Sequence, residues 1–291
     1  MKTTTKLREL IKSKELIVAP GAFSPLCAKM IQKVGFNCVY MSGYGVAAYR
    51  LGFPDVGLMT MNESLDTARA IAQACDLPVI ADVDNGYGNV INVKSTVEEY
   101  ELAGVAGIQL EDQSWPKRCG HMEGKVLISA EEMVQKIRIA VASRKDPDFV
   151  IVARTDANTV LGFDEAIRRS NLYAEAGADI IFFESPTSDE QVEKIPDLVH
   201  APVMLNMSEG AKTPLRNNAE IRSLGYKLVI WPSSATWAAA RAIQEIYQIL
   251  KDKGTTGEDL EKLILFHEFN DLIGLPEVMR LSDEYKTGTT Y

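Results

Sequence analysis

Eleven consecutive residues, Glu111-Asp112-Gln113-Ser114-Trp115-Pro116-Lys117-Arg118-Cys119-Gly120-His121, set carboxylates, cations, a thiol and an imidazole side by side. A core strand could not bury that mixture unpaired, and a solvated loop has no structural need of it. The Cys119 thiol sits between Arg118 and Gly120 with Lys117 and His121 close by. Neighbouring cations are therefore expected to tune it, for work as a nucleophile or a general acid. A structural zinc site would need a second pair of ligands at CxxC or HxxxH spacing, and Cys119-Gly120-His121 has none beside it.

Further residues able to do chemistry stand at the ends of short apolar runs. Asp82 and Asp84 project to the same side of an extended segment. With Asp55 and Glu111 they would bring three or four negative charges together, which repel strongly unless a cation intervenes. A hard divalent ion such as Mg2+, which keeps several waters and takes few carboxylates directly, resolves this. The alternative for any one of these acids is a helix cap or a surface charge. Arg154 offers a planar fork for a carboxylate or phosphate, or else a salt bridge to Glu184 or Asp156. The turn Ser42-Gly43-Tyr44 could present backbone N–H groups to an anion, and Glu184, Asn206 and Ser208 follow later runs in the same way.

These residues need a scaffold that gathers strand ends. Apolar runs of four to six residues fall near 16–19, 37–41, 78–81, 106–110, 149–153, 179–183, 202–205 and 227–230. Helical patterns lie between them, at about 6–14, 23–34, 62–75, 92–103, 129–144, 163–176, 187–198 and 216–223, and a longer one follows at 236–253. Near-continuous apolar strands alternating with helices imply a parallel sheet buried on both faces. Gly35, Gly104, Gly177 and Gly225 stand where helices should end. Eight such units predict an α/β fold, a (β/α)8 barrel of the TIM type with extra N- and C-terminal helices. A doubly wound sheet is disfavoured because no glycine-rich phosphate turn follows the first strand. In a barrel, residues just past the strands face the catalytic mouth, and here five of eight strands deliver charge to it.

Composition bounds the rest. The 291 residues carry 31 Lys and Arg against 40 Asp and Glu, net −9, with no basic run to suit a nucleic acid or an anionic membrane. No signal core or membrane-length apolar stretch is present. Cysteines 27, 38, 75 and 119 lie far apart, so a reducing, cytoplasmic setting without disulfides is expected. The chain reads as one barrel domain, 1–291. Its C-terminal part from about 234, with helices near 257–270 and 275–286, is expected to serve oligomer contacts.

Taken together, Ser42-Gly43, Asp82-Val83-Asp84, Glu111-Asp112-Gln113, Lys117 through His121, and Ala153-Arg154-Thr155-Asp156 resemble the isocitrate lyase / phosphoenolpyruvate mutase superfamily. The cysteine loop points to its lyase branch, because the mutases that rearrange P–C bonds lack it. The resemblance implies Mg2+, with Mn2+ as a substitute, held directly by Asp82 and through water by Asp55, Asp84 and Glu111. It implies a homotetramer with the eighth helix exchanged between subunits.

It further implies retro-aldol cleavage of a 2-hydroxy dicarboxylate, with Cys119 as general acid, Tyr40 as base, and a flap, Lys117 to His121, covering the substrate with Trp115 anchoring its base. Ser42, Gly43, Tyr44, Asp82, Lys117, Gly120, His121, Arg154, Glu184, Asn206 and Ser208 would contact substrate. Where methylisocitrate lyases use arginines to hold a third carboxylate, this chain has Trp237 and Phe266. Where oxaloacetate hydrolases carry a serine, it has Pro232. Within the branch it therefore looks closest to the dimethylmalate lyase, petal death protein and oxaloacetate hydrolase group, with 2,3-dimethylmalate as the expected substrate and pyruvate and propanoate as products. Methylisocitrate cleavage and oxaloacetate hydrolysis are the alternatives; a phosphonomutase or a non-catalytic binding barrel is more distant.

Overall fold

The computed structural model describes residues 1–286, and in it each of the eight apolar runs is a strand. These are β1 (Ile17–Ala22), β2 (Val39–Met41), β3 (Val79–Asp82), β4 (Gly107–Glu111), β5 (Val150–Thr155), β6 (Ile180–Phe183), β7 (Val203–Asn206) and β8 (Leu228–Trp231). They pair in parallel in chain order, and β8 closes on β1 with Leu228 opposite Ile17, so the sheet is a closed barrel. The four expected helix-ending glycines all adopt the left-handed conformation, with φ of 99°, 90°, 106° and 91° at Gly35, Gly104, Gly177 and Gly225. Helix starts are capped by side chains: Ser24 accepts from the Cys27 N–H, and Thr60 and Glu63 form a reciprocal capping box.

Two apolar cores follow from the period-2 alternation of the strands. Outward side chains such as Ile108, Leu110, Ile151, Ile181 and Leu205 pack under the surrounding helices. Inward ones, including Val150, Val152, Ile180, Phe182, Leu228 and Ile230, fill the barrel. The N-terminal helix Thr3–Lys12 inserts Leu7, fully buried, into that inner cluster. Arg8 fixes it there by donating to the Asp148 carbonyl (3.0 Å) and the Asp179 carboxylate (2.6 Å), just ahead of β5 and β6. The helix therefore closes the end of the barrel opposite the strand C-termini.

Three local features depart from expectation. Ser42 caps a short helix, Gly43–Val46, which runs on into a π-helical turn, Ala47–Leu51. A second short helix, Asn158–Leu161, follows β5. The helix expected over 257–270 is instead a 3-10 turn, Leu260–Lys262, and a helix, Phe266–Ile273. Lys253 bonds Asp259 at 2.8 Å, which holds a turn across the start of that expected helix.

The chain divides into two compact units, Met1–Thr236, which contains the barrel, and a second from Trp237 onward. In the second unit Lys262 pairs with Glu245. Its terminal helices, Phe266–Ile273 and Leu275–Glu284, bury no side chain, and Phe266, Val278 and Tyr285 are 84%, 61% and 72% exposed. The end of the expected tail, 287–291, lies outside the described residues. No helix among the described residues is long and apolar enough to cross a membrane, and all four cysteines are free.

Candidate active site

The inward rows that fill the barrel end in polar groups at its C-terminal rim. Val150 and Val152 are followed on the same face by Arg154, Ile180 and Phe182 by Glu184, Ile80 by Asp82, and Met204 by Asn206. Cys38 and Tyr40 lead to Ser42, and Leu228 and Ile230 to Pro232. The site is therefore the top layer of the barrel interior. Asp82, Asp84, Glu111, Arg154, Glu184 and Asn206 are all at most 6% exposed.

An acidic edge forms over β3 and β4. Lys117 is buried between two carboxylates, 2.5 Å from Asp55 Oδ1 and 2.6 Å from Asp84 Oδ1. Burial would strip its proton, but Asp84, Asp55, Glu111 and Asp82 outweigh that and hold the ammonium charged. Asp82 Oδ1 accepts from the Asp84 N–H at 3.0 Å. Asp84 has φ of 49°, a left-handed conformation seldom taken by a residue with a side chain. Gly43 is required beside this edge, since a Cβ there would stand 2.8 Å from Asp82 Oδ2. Burial, opposed by Lys117 and Arg154, raises the Asp82, Asp84 and Glu111 carboxyls above the usual range, Asp84 to about 7.

The residues fit a hard cation that keeps most of its water. All four carboxylate oxygens of Asp84 and Glu111 are buried, and one oxygen of each has no partner, the other meeting Lys117 at 2.6 Å and Arg154 at 3.2 Å. Among the described residues no three His, Cys, Asp or Glu side chains are disposed to ligate one ion directly. Acids too spread to ligate one ion together suit a cation that keeps several waters, as Mg2+ does.

Arg154 faces Glu111 on one side and is clamped on the other by Asp156, through hydrogen bonds of 2.9 and 3.0 Å. Its guanidinium also lies 5.2 Å from the centre of the Phe182 ring, on the cation–π scale. Both salt-bridge partners considered from the sequence are present, Glu184 being the more distant at 3.7 Å. Asp156 in turn donates its own N–H to Asp112 Oδ1 (2.9 Å). Asp112 also accepts from Thr155, Tyr173 and Arg169, so the pair is anchored in a buried network. Asn206 Nδ2 approaches Glu184 Oε2 at 3.3 Å and His121 Nε2 at 3.2 Å, and its own Oδ1 is buried without a partner. Ser208 donates to Ser233 at 3.3 Å.

The cysteine loop is seated across this rim. Cys119 N–H donates to the Asp55 carbonyl (3.1 Å), and His121 Nδ1 meets Ser185 Oγ (3.1 Å). Gly120 is tucked so closely that a Cβ would lie 2.5 Å from Arg154 Nη2 and 2.7 Å from Glu184. Burial first, then Asp55, pushes the Cys119 thiol up to about 11, against smaller lowering by Arg154 and Lys117. The expected tuning by cations is thus outweighed, because the loop carries the sulfur into a desolvated position beside an anion. Trp115 is 48% exposed and does not anchor the flap. Gln113 does: its amide accepts from the Arg118 N–H (2.9 Å) and donates to the Arg118 carbonyl (2.8 Å).

Tyr40 is buried and donates its phenol proton to Gln109 Oε1 at 2.6 Å. Burial, with Asp82, Glu184 and Glu111 nearby, raises its pKa well above the ordinary phenol value, which favours the neutral form rather than a base. Ser42 and Gly43 are buried, and Tyr44 is half-buried. Pro232 is buried directly against Gly21 of β1. Trp237 and Phe266 belong to the second unit. Sequence reasoning missed Gln109 and Lys125, and read Ser185 only as the residue after Glu184 at the end of strand six. The spacing of Gln109 two residues before Glu111 on β4 is the one signal that places it on the inward face.

A closed (β/α)8 barrel whose rim holds buried carboxylates, a clamped arginine and a covering cysteine loop is an enzyme-type site for an anionic ligand and a hard cation. The chain belongs to the PEP mutase/isocitrate lyase superfamily: residues 7–251 match the family model for phosphoenolpyruvate phosphomutase. It is 49% identical over 288 residues to a 2,3-dimethylmalate lyase of Eubacterium barkeri, covering 99% of this chain and 100% of that one. A 2-methylisocitrate lyase of Aeropyrum pernix is 45% identical over 268 residues, 92% of this chain and 86% of the other. Among solved structures, a 2,3-dimethylmalate lyase superposes with a TM-score of 0.92 at 36% identity, covering 100% of this chain and 99% of that one. A phosphonopyruvate hydrolase complexed with oxalate and Mg2+ gives 0.88 at 32%, covering 98% and 99%.

Proposed function

We propose that this chain is a Mg2+-dependent carbon–carbon lyase acting on a 2-hydroxy dicarboxylate, with 2,3-dimethylmalate as substrate and pyruvate and propanoate as products. The observation that carries the reading is the seat of the cysteine loop: the Cys119 N–H bonds the Asp55 carbonyl, the neighbouring Gly120 packs against Arg154 and Glu184, and burial and Asp55 raise the thiol to about 11. The full-length similarity to a dimethylmalate lyase supports the substrate.

Asp82, with Asp55, Asp84 and Glu111, would hold the metal, which supplies positive charge at the oxygen end of the substrate. Mn2+ would fit the same oxygen donors. Arg154, aimed by Asp156, takes a substrate carboxylate in its planar fork. Ser42, Gly43, Tyr44, Asn206 and Ser208 line the rim and orient the pyruvate half, while Lys117 and His121 hold the two sides of the covering loop. As the C2–C3 bond breaks, the electron pair stays on C3 and the Cys119 thiol delivers its proton there. The hydroxyl proton leaves to a base. Tyr40 is poorly suited to that role while its phenol is engaged as a donor to Gln109.

Pro232 offers no hydrogen-bond donor at the rim, which favours C–C cleavage over oxaloacetate hydrolysis. The similarity to a methylisocitrate lyase supports a second reading, in which the substrate carries a third carboxylate. Incubation with 2,3-dimethylmalate and Mg2+ should release pyruvate and propanoate in equal amounts, and release should stop with a chelator. Absence of both pyruvate and glyoxylate with every 2-hydroxy acid offered would end the lyase reading.

The terminal helices expose Phe266, Val278 and Tyr285 on a surface that buries nothing in the single chain. Exposed apolar residues in such number support self-association, and a cytoplasmic homotetramer is the assembly put forward. A solution mass equal to one chain, measured by light scattering, would rule it out.

A further inference from the structure

Lys125 lies where the flap returns to the barrel, and the lyase reading gives it no part. Its side chain is 2% exposed, and a lysine is kept at such a depth only when it is paired. The ammonium donates to the main-chain carbonyl of Gly120, the residue between Cys119 and His121. It also donates to Asp156 Oδ1 at 3.2 Å. That same oxygen accepts from Arg154 Nη2 at 3.0 Å, and the other carboxylate oxygen accepts from Arg154 Nε at 2.9 Å. Asp156 itself is fixed from beneath, its N–H bonded to Asp112. One buried ammonium therefore touches both the loop that carries the thiol and the carboxylate that aims the guanidinium. Ser185 adds only a longer contact, 3.4 Å, to the Gly120 carbonyl.

The geometry points to Lys125 as a positioning residue: the Lys125–Asp156 ion pair latches the Cys119 loop in register with Arg154, so that acid and carboxylate clamp meet one substrate together. A lysine that served only the fold would stabilise the barrel without linking these two groups. The kinetic part of this inference rests on the lyase reading; the structural part does not.

The test is the rate at which iodoacetamide alkylates Cys119 in the full-length Mg2+-loaded protein, followed by mass spectrometry of the Cys119 peptide with Cys27 and Cys75 as internal references. Lys125→Met should raise the Cys119 rate at least tenfold while the reference cysteines change less than twofold. A Cys119 rate within twofold of the parent overturns the latch, whatever the substrate proves to be. If Lys125→Met does not fold, Lys125→Arg takes its place. It keeps the charge but sets a planar fork against acceptors arranged around one ammonium, and at least a threefold acceleration is expected; an unchanged rate again overturns the latch. On the substrate that is turned over, kcat should fall at least tenfold with KM changed less than threefold. A raised KM with unchanged kcat would instead place Lys125 in ground-state binding and contradict its positioning of the acid.

Discussion

Lys117 and Asp84 form an ion pair of 2.6 Å with both side chains only 2% exposed, and the same ammonium reaches Asp55 at 2.5 Å. The first residue of the cysteine flap is thereby rooted in the acidic edge. Since Cys119 N–H bonds the Asp55 carbonyl, the acidic edge and the cysteine loop share one support, and events at the first should be felt at the second.

Mg2+ binding should depend on pH in a definite direction. Burial raises the Asp82, Asp84 and Glu111 carboxyls in the folded metal-free protein, Asp84 to about 7. A carboxyl raised on folding favours the fold below its unfolded value of about 4, and that contribution is lost as pH rises through the folded value. The metal-free melting temperature should therefore fall between about pH 5 and pH 8, and the increase caused by Mg2+ should grow over the same window as the ion takes up the ionised forms. Thermal melts with Mg2+ and with chelator check this; an Mg2+ increment independent of pH would contradict it.

Cys119→Ser should lower kcat by about 100-fold or more, the scale of a lost general acid, with Mg2+ affinity by calorimetry unchanged. In the parent, alkylation of Cys119 needs the thiolate, so its rate should climb about tenfold per pH unit through pH 10, because the thiol is held at about 11. A plateau below pH 9 would show an activated thiolate in place of a protonated acid.

Tyr40→Phe removes the hydrogen bond to Gln109 and keeps the buried ring. The expected cost is about 1 kcal/mol in stability and less than about tenfold in kcat, well short of the roughly 100-fold or greater loss that removal of a general base brings. A larger fall, together with loss of a pH-rate limb, would restore Tyr40 as the base.

Gly120→Ala tests the closeness of the loop to the rim. The added Cβ would meet Arg154 Nη2 at 2.5 Å and Glu184 at 2.7 Å, so the loop must lift. A displacement near 1 Å costs about 100-fold in rate, whereas the melting temperature, set by the barrel core, should move by less than about 3 °C. Unchanged kcat would mean that the loop acts from another position.

What the sequence made legible follows from periodicity and charge. Eight apolar runs become eight strands because each is buried on both faces, and the inward alternation carries Val150 and Val152 directly to Arg154. Asp82, Asp84 and Glu111 could be found because acids at strand ends have no role in a core. The anchoring roles of Lys125 and Gln113 could not, since their partners, the Gly120 carbonyl and the Arg118 backbone, are main-chain groups brought close only by the fold of the loop. Trp115 misled because a large apolar ring beside a flap suggests an anchor, yet it is 48% exposed and the anchoring is polar. The raised Cys119 thiol was hidden for the same reason: adjacency in sequence to Arg118 and Lys117 says nothing of burial, and burial decides.

The most direct test of the central claim is kcat/KM with Mg2+ for 2,3-dimethylmalate, 2-methylisocitrate, isocitrate and oxaloacetate, with pyruvate, propanoate, glyoxylate and oxalate quantified. Discrimination of at least about tenfold, or ~1.4 kcal/mol, in favour of 2,3-dimethylmalate is expected, with pyruvate and propanoate formed one to one. Equal or faster turnover of 2-methylisocitrate, or oxalate as the dominant product, would contradict the account.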